Sequence, residues 1–251
     1  MDYSWHCDEL EKEGARFVHV ARGAEDVPVP TCPQWRVADL LAHVGFVHRW
    51  SEYVVRHRAQ SRPPTRDMGL SRGPVDPDWI ALGLADLLAT LRASDPEESV
   101  WAWGADQHVR FWARRQLHET LVHRVDLEGA RGRDSVIDDE VAADAIDEFL
   151  ANLTRAGDFS PGVKNLVGTG ETIVVATDEG RQWAIRLLPE GFDVDTSTSP
   201  TTHGDDVATL RGSASEVLLV MYRRRTLEES SCTVEGRRDV VTHWLAHSAL
   251  L

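Results

Sequence analysis

The sequence predicts an α-helical domain followed by a small α+β domain, in which helices and strands combine, and three observations support this. Apolar residues recur at helical spacing throughout the first half of the chain. The second half instead contains short runs of β-branched and aromatic residues separated by turn residues. A glycine-containing stretch at residues 157–170 separates the two patterns. We therefore expect a helical domain at residues 1–157 and an α+β domain at residues 165–251.

The first half contains five segments with helical periodicity. The second segment, which follows a proline-punctuated loop, is the best patterned, because His43, Phe46 and Trp50 share one face. Leu40 and Val44 lie on the adjoining face, and a helix that is apolar over so wide an arc is expected to be largely buried. The five expected helices span about residues 4–21, 37–57, 79–92, 111–130 and 138–154.

In the second half the hydrophobic period changes from that of a helix to that of a strand. Residues 171–188 predict a β-hairpin around a turn at Glu179 and Gly180. Further strands are expected from Gly191 and from Asp206. The sequence SASE, residues 213–216, matches the capping box S-x-x-E and predicts the start of a helix. A last helix is expected at about residues 238–248.

Composition and charge argue against several classes of function. The formal net charge of −14 disfavours binding to nucleic acid or to an anionic membrane, since both depend on Lys and Arg. No segment approaches the ~20 apolar residues that span a bilayer, and the acidic N-terminus does not resemble a secretory signal. Three widely spaced cysteines without a CxxC motif, Cys7, Cys32 and Cys232, are typical of reduced thiols. We therefore expect a cytoplasmic protein, either a monomer or a small homo-oligomer.

Two helical segments carry residues that can bind one metal ion. Glu119 and His123 are four residues apart, so a helix places them on the same face, one turn apart. A carboxylate and an imidazole so placed can bind the same divalent cation. His43 of the second helix would complete a three-ligand site with an open position, which is how catalytic zinc is usually held.

Simpler interpretations of these residues remain open. A Glu and a His at this spacing are also typical of a pair on a helix surface, and a His on an apolar face is more often a core residue. Two features favour a metal. His43 lies among apolar neighbours, and Glu119 is flanked by Leu117 and Leu121, so a buried carboxylate would require a cation or hydrogen bonds.

Asp126 lies nearly one turn beyond His123 on the same face. It is expected to support the site by accepting a hydrogen bond from the His123 ring. The alternative is a simple salt bridge to Arg124 or Arg115.

Three sequence blocks resemble the mycothiol-dependent maleylpyruvate isomerase family. They are TCPQWRVADLLAHVG at residues 31–45, HETLVHRVD at residues 118–126 and GSASEVLLVMYRRR at residues 212–225. The blocks occur in the family's order and together span most of the chain. The resemblance implies a DinB-like four-helix bundle joined to a small α+β domain similar to sterol carrier protein.

The same resemblance implies cofactors and site residues. It implies a zinc ion held by His43, Glu119 and His123, and mycothiol as the thiol. An Arg after the C-terminal helix is implicated in activity, and Arg224 matches it best, with Arg223 and Arg225 as alternative registers. The chain also departs from the family pattern at two positions. Arg36 stands where a helix-capping Thr or Ser is usual, and Arg223 stands where Gly is usual. The replacement of Gly by Arg223 implies a substrate pocket of different shape but does not affect the metal site.

The implied reaction is thiol chemistry on a small electrophile. The metal would stabilise a thiolate nucleophile, and Arg224 would bind a carboxylate of the substrate or of the thiol. If the thiol is eliminated from the adduct after the reaction, the protein is an isomerase. If the thiol stays bonded to the product, the protein is an S-transferase. Arg224 can equally be a solvated residue at a helix end. Two other functions also stay open: a metal-activated hydrolase and a non-catalytic ligand-binding protein.

Overall fold

A computed structural model describes residues 1–65, 75–158, 160–197 and 206–249 of the chain. Contacts divide the chain into two compact units, Met1–Val136 and Ile137–Leu251. The expected helix that begins near residue 138 therefore groups with the strands of the second unit. Independent folding of residues 1–157 and 165–251 as domains stays a prediction.

The described part of the first unit contains four helices, as its hydrophobic period predicts. Each contributes a fully buried residue to one core: Phe17, Leu40, Ile80 and Leu127. The helix α1 packs against α3 and α4, and α2 also packs against both. The helices are α1 (Tyr3–Ala21), α2 (Val37–Arg56), α3 (Pro77–Ala93) and α4 (Val109–Ala130).

The N-terminus of α2 is capped by two aspartates in place of the usual Thr or Ser. The Asp39 carboxylate accepts a hydrogen bond from the Arg36 backbone N–H at 2.9 Å. The Asp26 carboxylate accepts one from the Ala38 N–H at 3.0 Å and pairs with the Arg36 guanidinium at 2.8 Å. The cap has therefore moved to neighbouring residues, which supply the acceptors that a helix start requires.

A buried ion pair joins α1 to α4. The Arg124 guanidinium lies 2.6 Å from the Glu13 carboxylate, and both side chains are almost fully buried. Glu128 also pairs with Arg124, so the buried positive charge is neutralised within the core of the unit.

Among its described residues, the second unit contains three α-helices, two short 3-10 helices and a five-stranded sheet. The strand order is β3-β2-β1-β4-β5, with β1 and β4 parallel and the other neighbours antiparallel. The central strand β1 is buried along its whole length. The elements are α5 (Asp139–Leu153), β1 (Thr172–Thr177), β2 (Gln182–Leu188), β3 (Gly191–Asp195), β4 (Val207–Gly212), α6 (Ala214–Met221), β5 (Thr233–Glu235) and α7 (Arg238–His247).

These elements confirm the fold class expected for the second half. The β1–β2 hairpin turns where predicted, and Gly180 has φ +94°, which glycine adopts without strain. The Ser213 hydroxyl accepts a hydrogen bond from the Glu216 N–H at 3.3 Å, so the predicted N-cap of α6 is confirmed, whereas the Glu216 side chain contacts Ser231 and Arg225 instead of completing the capping box. The sequence did not predict β5, because three residues are too few for an alternating pattern to be recognised. None of the described helices is long and apolar enough to cross a membrane.

Candidate metal centre

Three side chains predicted as metal ligands converge between α2 and α4. His43 comes from α2, and Glu119 and His123 come from consecutive turns of α4. Their ligand atoms all lie within 4.8 Å of one another. The Glu119 Oε1 atom is 2.8 Å from His43 Nε2 and 3.3 Å from His123 Nε2. A carboxylate oxygen and two imidazole nitrogens therefore meet at one point.

The packing of α2 on α4 creates this arrangement. The helix α4 is buried on most of its circumference, so its polar residues face neighbouring helices rather than solvent. Glu119 and His123 share the face toward α2, where His43 lies on the corresponding turn. The side chain of His43 is 30% exposed and that of His123 only 9%, so the centre opens to solvent on the side of His43.

Arg115 determines how Glu119 presents its carboxylate. The Arg115 guanidinium, almost fully buried, donates to Glu119 Oε2 at 3.0 Å and leaves Oε1 facing the two imidazoles. Burial by itself raises the pKa of Glu119. Hydrogen bonds with His123 and His43 and the charge of Arg115 outweigh that effect and hold the pKa well below its usual value. Glu119 is therefore ionised at neutral pH.

Asp126 contacts the other side of the His123 ring, as expected from its position. Its Oδ2 atom lies 2.8 Å from His123 Nδ1, and the aspartate is fully buried. Burial lowers the pKa of His123, but the hydrogen bonds with Asp126 and Glu119 outweigh it and raise the pKa. Both arginines named as alternative partners of Asp126 pair with other carboxylates: Arg124 with Glu13 and Arg115 with Glu119.

The residues present fit a divalent cation. The Nδ1–H of His123 donates to Asp126, and the Nε2 atom of the same ring faces Glu119 Oε1. Because both of these atoms are acceptors, either a proton or a cation must lie between them. The hydrogen bonds with Asp126 and Glu119 raise the pKa of His123, which favours a proton at this position. Two imidazoles and one carboxylate are also a typical donor set for zinc, and ligating histidines normally donate their second N–H to an acceptor such as Asp126.

Sequence reasoning did not assign three residues to this centre, although it named Arg115 as a possible partner of Asp126. Trp35 packs against the rings of His43 and His123, with centroid distances of 4.8 and 5.6 Å. Arg115 lies one turn before Glu119, a spacing that could have identified it. The Thr31 hydroxyl donates to Asp126 Oδ1 at 2.5 Å. Thr31 and Trp35 belong to the first resembling block, but nothing in that block indicates which helix they contact.

His48, also on α2, lies outside the centre and is fully buried. Its Nε2 atom is 2.8 Å from the Thr120 hydroxyl, which itself donates to the Gln116 carbonyl at 2.7 Å. His48 must therefore be the donor in the first of these hydrogen bonds. Burial lowers the pKa of His48 to about 3, so its ring is neutral at physiological pH.

Arg224 lies in the second unit, directly after α6. Arg223 has φ +58°. The Arg223 N–H donates to Val220 O and the Arg224 N–H to Leu219 O, the pattern of a Schellman motif. The Arg225 guanidinium pairs with Glu216, and Arg223 is exposed. Arg224 is half-buried, and its guanidinium donates to the Tyr222 carbonyl at 2.9 Å.

Comparison with known proteins identifies two family domains in this chain. Residues 7–128 match the mycothiol maleylpyruvate isomerase N-terminal domain, and residues 140–247 match the MDMPI C-terminal domain. Two crystal structures of the mycothiol-dependent maleylpyruvate isomerase, one of them of a histidine-to-alanine mutant, resemble the chain over 93% of both partners. The mutant structure gives a TM-score of 0.57 at 13% identity, and the other gives 0.55 at 14%. At such identities the likeness shows a shared fold. No curated protein matches the chain.

Proposed function

The chain belongs to the mycothiol maleylpyruvate isomerase family, and from this premise we propose that it is a mycothiol-using isomerase with a metal centre at His43, Glu119 and His123. The observation that carries the metal assignment is the convergence of these three ligand atoms within 4.8 Å. Zinc is the preferred ion because two imidazoles and one carboxylate match its usual donors. A bound ion would act as a Lewis acid that lowers the pKa of the mycothiol thiol, whose sulfur then serves as nucleophile.

The residues around the centre have defined tasks in this proposal. Arg115 holds Glu119 ionised and presents one oxygen to the ion, and Asp126 holds His123 with its Nε2 atom facing the centre. Trp35 covers the two imidazoles with an apolar ring, which restricts the approach of water from that side. The exposed side of His43 leaves room for a thiol to approach.

A zinc measurement tests the metal assignment. The full chain is expected to bind one equivalent of zinc, and His43→Ala should weaken its zinc affinity by more than about 100-fold, since even the loss of a ligand's supporting partner costs 10–100-fold. His19→Ala, an exposed histidine on α1, is the matched control and should bind zinc as the wild type does. Retention of stoichiometric zinc by His43→Ala would contradict the assignment.

A mycothiol titration of the same protein separates thiol chemistry from the alternatives. The cobalt-substituted protein should develop a sulfur-to-metal charge-transfer band as mycothiol is added, and the metal-free protein should not. A metal-activated hydrolase or a ligand carrier would show no such band. With maleylpyruvate as the probe substrate, recovery of unmodified mycothiol after turnover distinguishes an isomerase from an S-transferase.

We further propose that Arg224 binds a carboxylate of the substrate or of mycothiol. Arg224 is half-buried after α6, and a guanidinium can bind a planar carboxylate through two parallel hydrogen bonds. Arg224→Ala should lower kcat/KM for maleylpyruvate by about 10–100-fold, the equivalent of one hydrogen bond to a charged group. Arg223→Ala, which removes an exposed guanidinium, should leave kcat/KM unchanged. Equal losses in the two variants would overturn the assignment of Arg224.

A further inference from the structure

Asp126 accepts hydrogen bonds from two separate parts of the chain. Its Oδ2 atom faces His123 Nδ1 at 2.8 Å, and its Oδ1 atom accepts from the Thr31 hydroxyl at 2.5 Å. The Cys32 thiol also donates to Oδ2, at 3.7 Å. Both Thr31 and Cys32 lie in the loop before α2, 95 and 94 residues away from Asp126 along the chain. The loop therefore contacts the carboxylate that supports a predicted metal ligand.

The backbone of this loop holds Thr31 in place. The Val29 N–H donates to the Trp35 carbonyl at 2.9 Å, and the Trp35 N–H donates to the Cys32 carbonyl at 2.8 Å. The Val29 side chain is fully buried in the core of the first unit, and this packing holds the turn against the helices. Thr31 thus approaches Asp126 from a tight turn rather than from a freely moving segment.

The two oxygens of a carboxylate are bonded to the same planar carbon atom, so neither can move without the other. A donor on Oδ1 therefore restrains the direction in which Oδ2 points. Asp126 is fully buried, so no solvent replaces the Thr31 hydroxyl if it is removed. Without this hydroxyl the Asp126 carboxylate is held less firmly, since the Cys32 thiol is a weaker donor, and the His123 ring loses part of the restraint that aims Nε2 at Glu119 Oε1.

We propose that Thr31 is a positioning residue of the metal centre, acting through Asp126 on His123. This inference rests on the proposed function, because it assumes that His123 binds a metal ion. Its readout is the affinity of the full chain for zinc, measured by competition with a chelator, so it does not depend on turnover. Supporting partners of metal-bound histidines typically change metal affinity by 10–100-fold when they are removed.

Three variants test the role of the hydroxyl. Thr31→Val removes it at constant shape and should weaken zinc binding by about tenfold, the lower end of that range because Thr31 acts through Asp126. Thr31→Ala should weaken binding to the same extent, and it avoids placing an extra methyl group against the carboxylate. Thr31→Ser keeps the hydroxyl and should restore wild-type affinity. The thermal midpoint of the metal-free protein should fall by a similar amount in Thr31→Val and Thr31→Ala, because both leave a buried carboxylate oxygen without this donor, and it should stay near the wild-type value in Thr31→Ser.

Thr90→Val is the matched control. Thr90 also donates its hydroxyl to a carboxylate between two helices of the same unit, Glu52 at 3.1 Å, but that pair does not include any of the three predicted ligands. Its removal should leave zinc affinity unchanged. A loss in Thr90→Val equal to that in Thr31→Val would mean that any such deletion loosens the unit, and it would overturn the proposal.

The outcomes separate this inference from the proposed function. Zinc binding that is equally tight in the wild type and in Thr31→Val overturns the role of Thr31 and leaves the metal centre in place. The expected loss in Thr31→Val, together with a failure of the zinc protein to bind mycothiol, supports the role of Thr31 and overturns the mycothiol-using isomerase. A wild-type chain that binds no zinc overturns both.

Discussion

His43 and His48 lie on the same helix but have different environments. His43 is half-buried beside Glu119, and its ring contributes to the candidate metal centre. His48 is fully buried and donates to Thr120, and its Nδ1 atom has no hydrogen-bond partner among the described residues. A buried ring that lacks an acceptor for a second N–H strongly disfavours protonation. The chemistry of each histidine is therefore set by its position around the helix.

The buried state of His48 predicts acid sensitivity of the fold. Burial lowers its pKa to about 3, with smaller contributions from Arg49, His43 and His123 against the opposing effect of Glu119. In the unfolded chain the ring titrates near its ordinary pKa of about 6.5. Between these values the unfolded state binds the proton and the folded state does not. The contribution of His48 to stability is thus present above about pH 6.5 and is lost on acidification toward pH 3.

Urea unfolding of the metal-free protein between about pH 7 and pH 5 measures this effect. The slope contributed by His48 is at most about 1.4 kcal/mol per pH unit, and His48→Gln should remove it because glutamine does not titrate. In the folded wild type, the NMR signal of the His48 ring should show no titration in that range. A His48 signal that titrates near pH 6 would contradict the prediction.

At the level of the secondary-structure elements, helix ends accommodate the departures from the family pattern. The Arg36 guanidinium cannot accept a hydrogen bond from the first turn of α2. The Asp26 carboxylate accepts from the Ala38 N–H instead, and the Asp39 carboxylate accepts from the Arg36 N–H. Arg223 occupies the position after the C-cap of α6, where the Schellman motif requires a left-handed backbone. The first departure is compensated by neighbouring acceptors. The second leaves a non-glycine residue with φ +58°, which is unfavourable for a residue with a Cβ atom.

Replacement of Arg223 by glycine should therefore stabilise the protein. Arg223→Gly is expected to raise the free energy of unfolding by about 1 kcal/mol, because glycine adopts the left-handed conformation without a steric penalty. Arg223→Ala is the control, since it removes the same exposed side chain but keeps the Cβ atom, and it should have little effect. Thermal or urea unfolding of the full chain measures both. Equal stability of the Gly and Ala variants would show that backbone strain is not the cause.

At the scale of the whole molecule, the two compact units agree with the two family domains. The matched regions end at residue 128 and resume at residue 140, and the compact units divide between Val136 and Ile137, inside that gap. The helix α5 belongs to the second unit together with the mixed sheet. The candidate metal ligands lie in the first unit and Arg224 in the second.

Much of this organisation was predictable from local spacing. The helices of the first half and the β1–β2 hairpin were expected from hydrophobic period, since an amphipathic element repeats its pattern within a few residues. The placement of Glu119 and His123 on one face of α4 follows from helix geometry alone. The strand β5 was missed because its three residues depend on pairing with β4 rather than on any pattern of their own.

The sequence by itself determined most of the elements that form, which side chains share a helix face, and which family the three blocks resemble. Only the tertiary structure decided which distant residues meet. It brought His43 to Glu119 across 76 residues and Thr31 to Asp126 across 95. It also selected Arg115 and Trp35 as the neighbours of the centre. The physical reason is that periodicity records how a segment faces its surroundings, whereas contacts between segments arise only when their buried faces pack together.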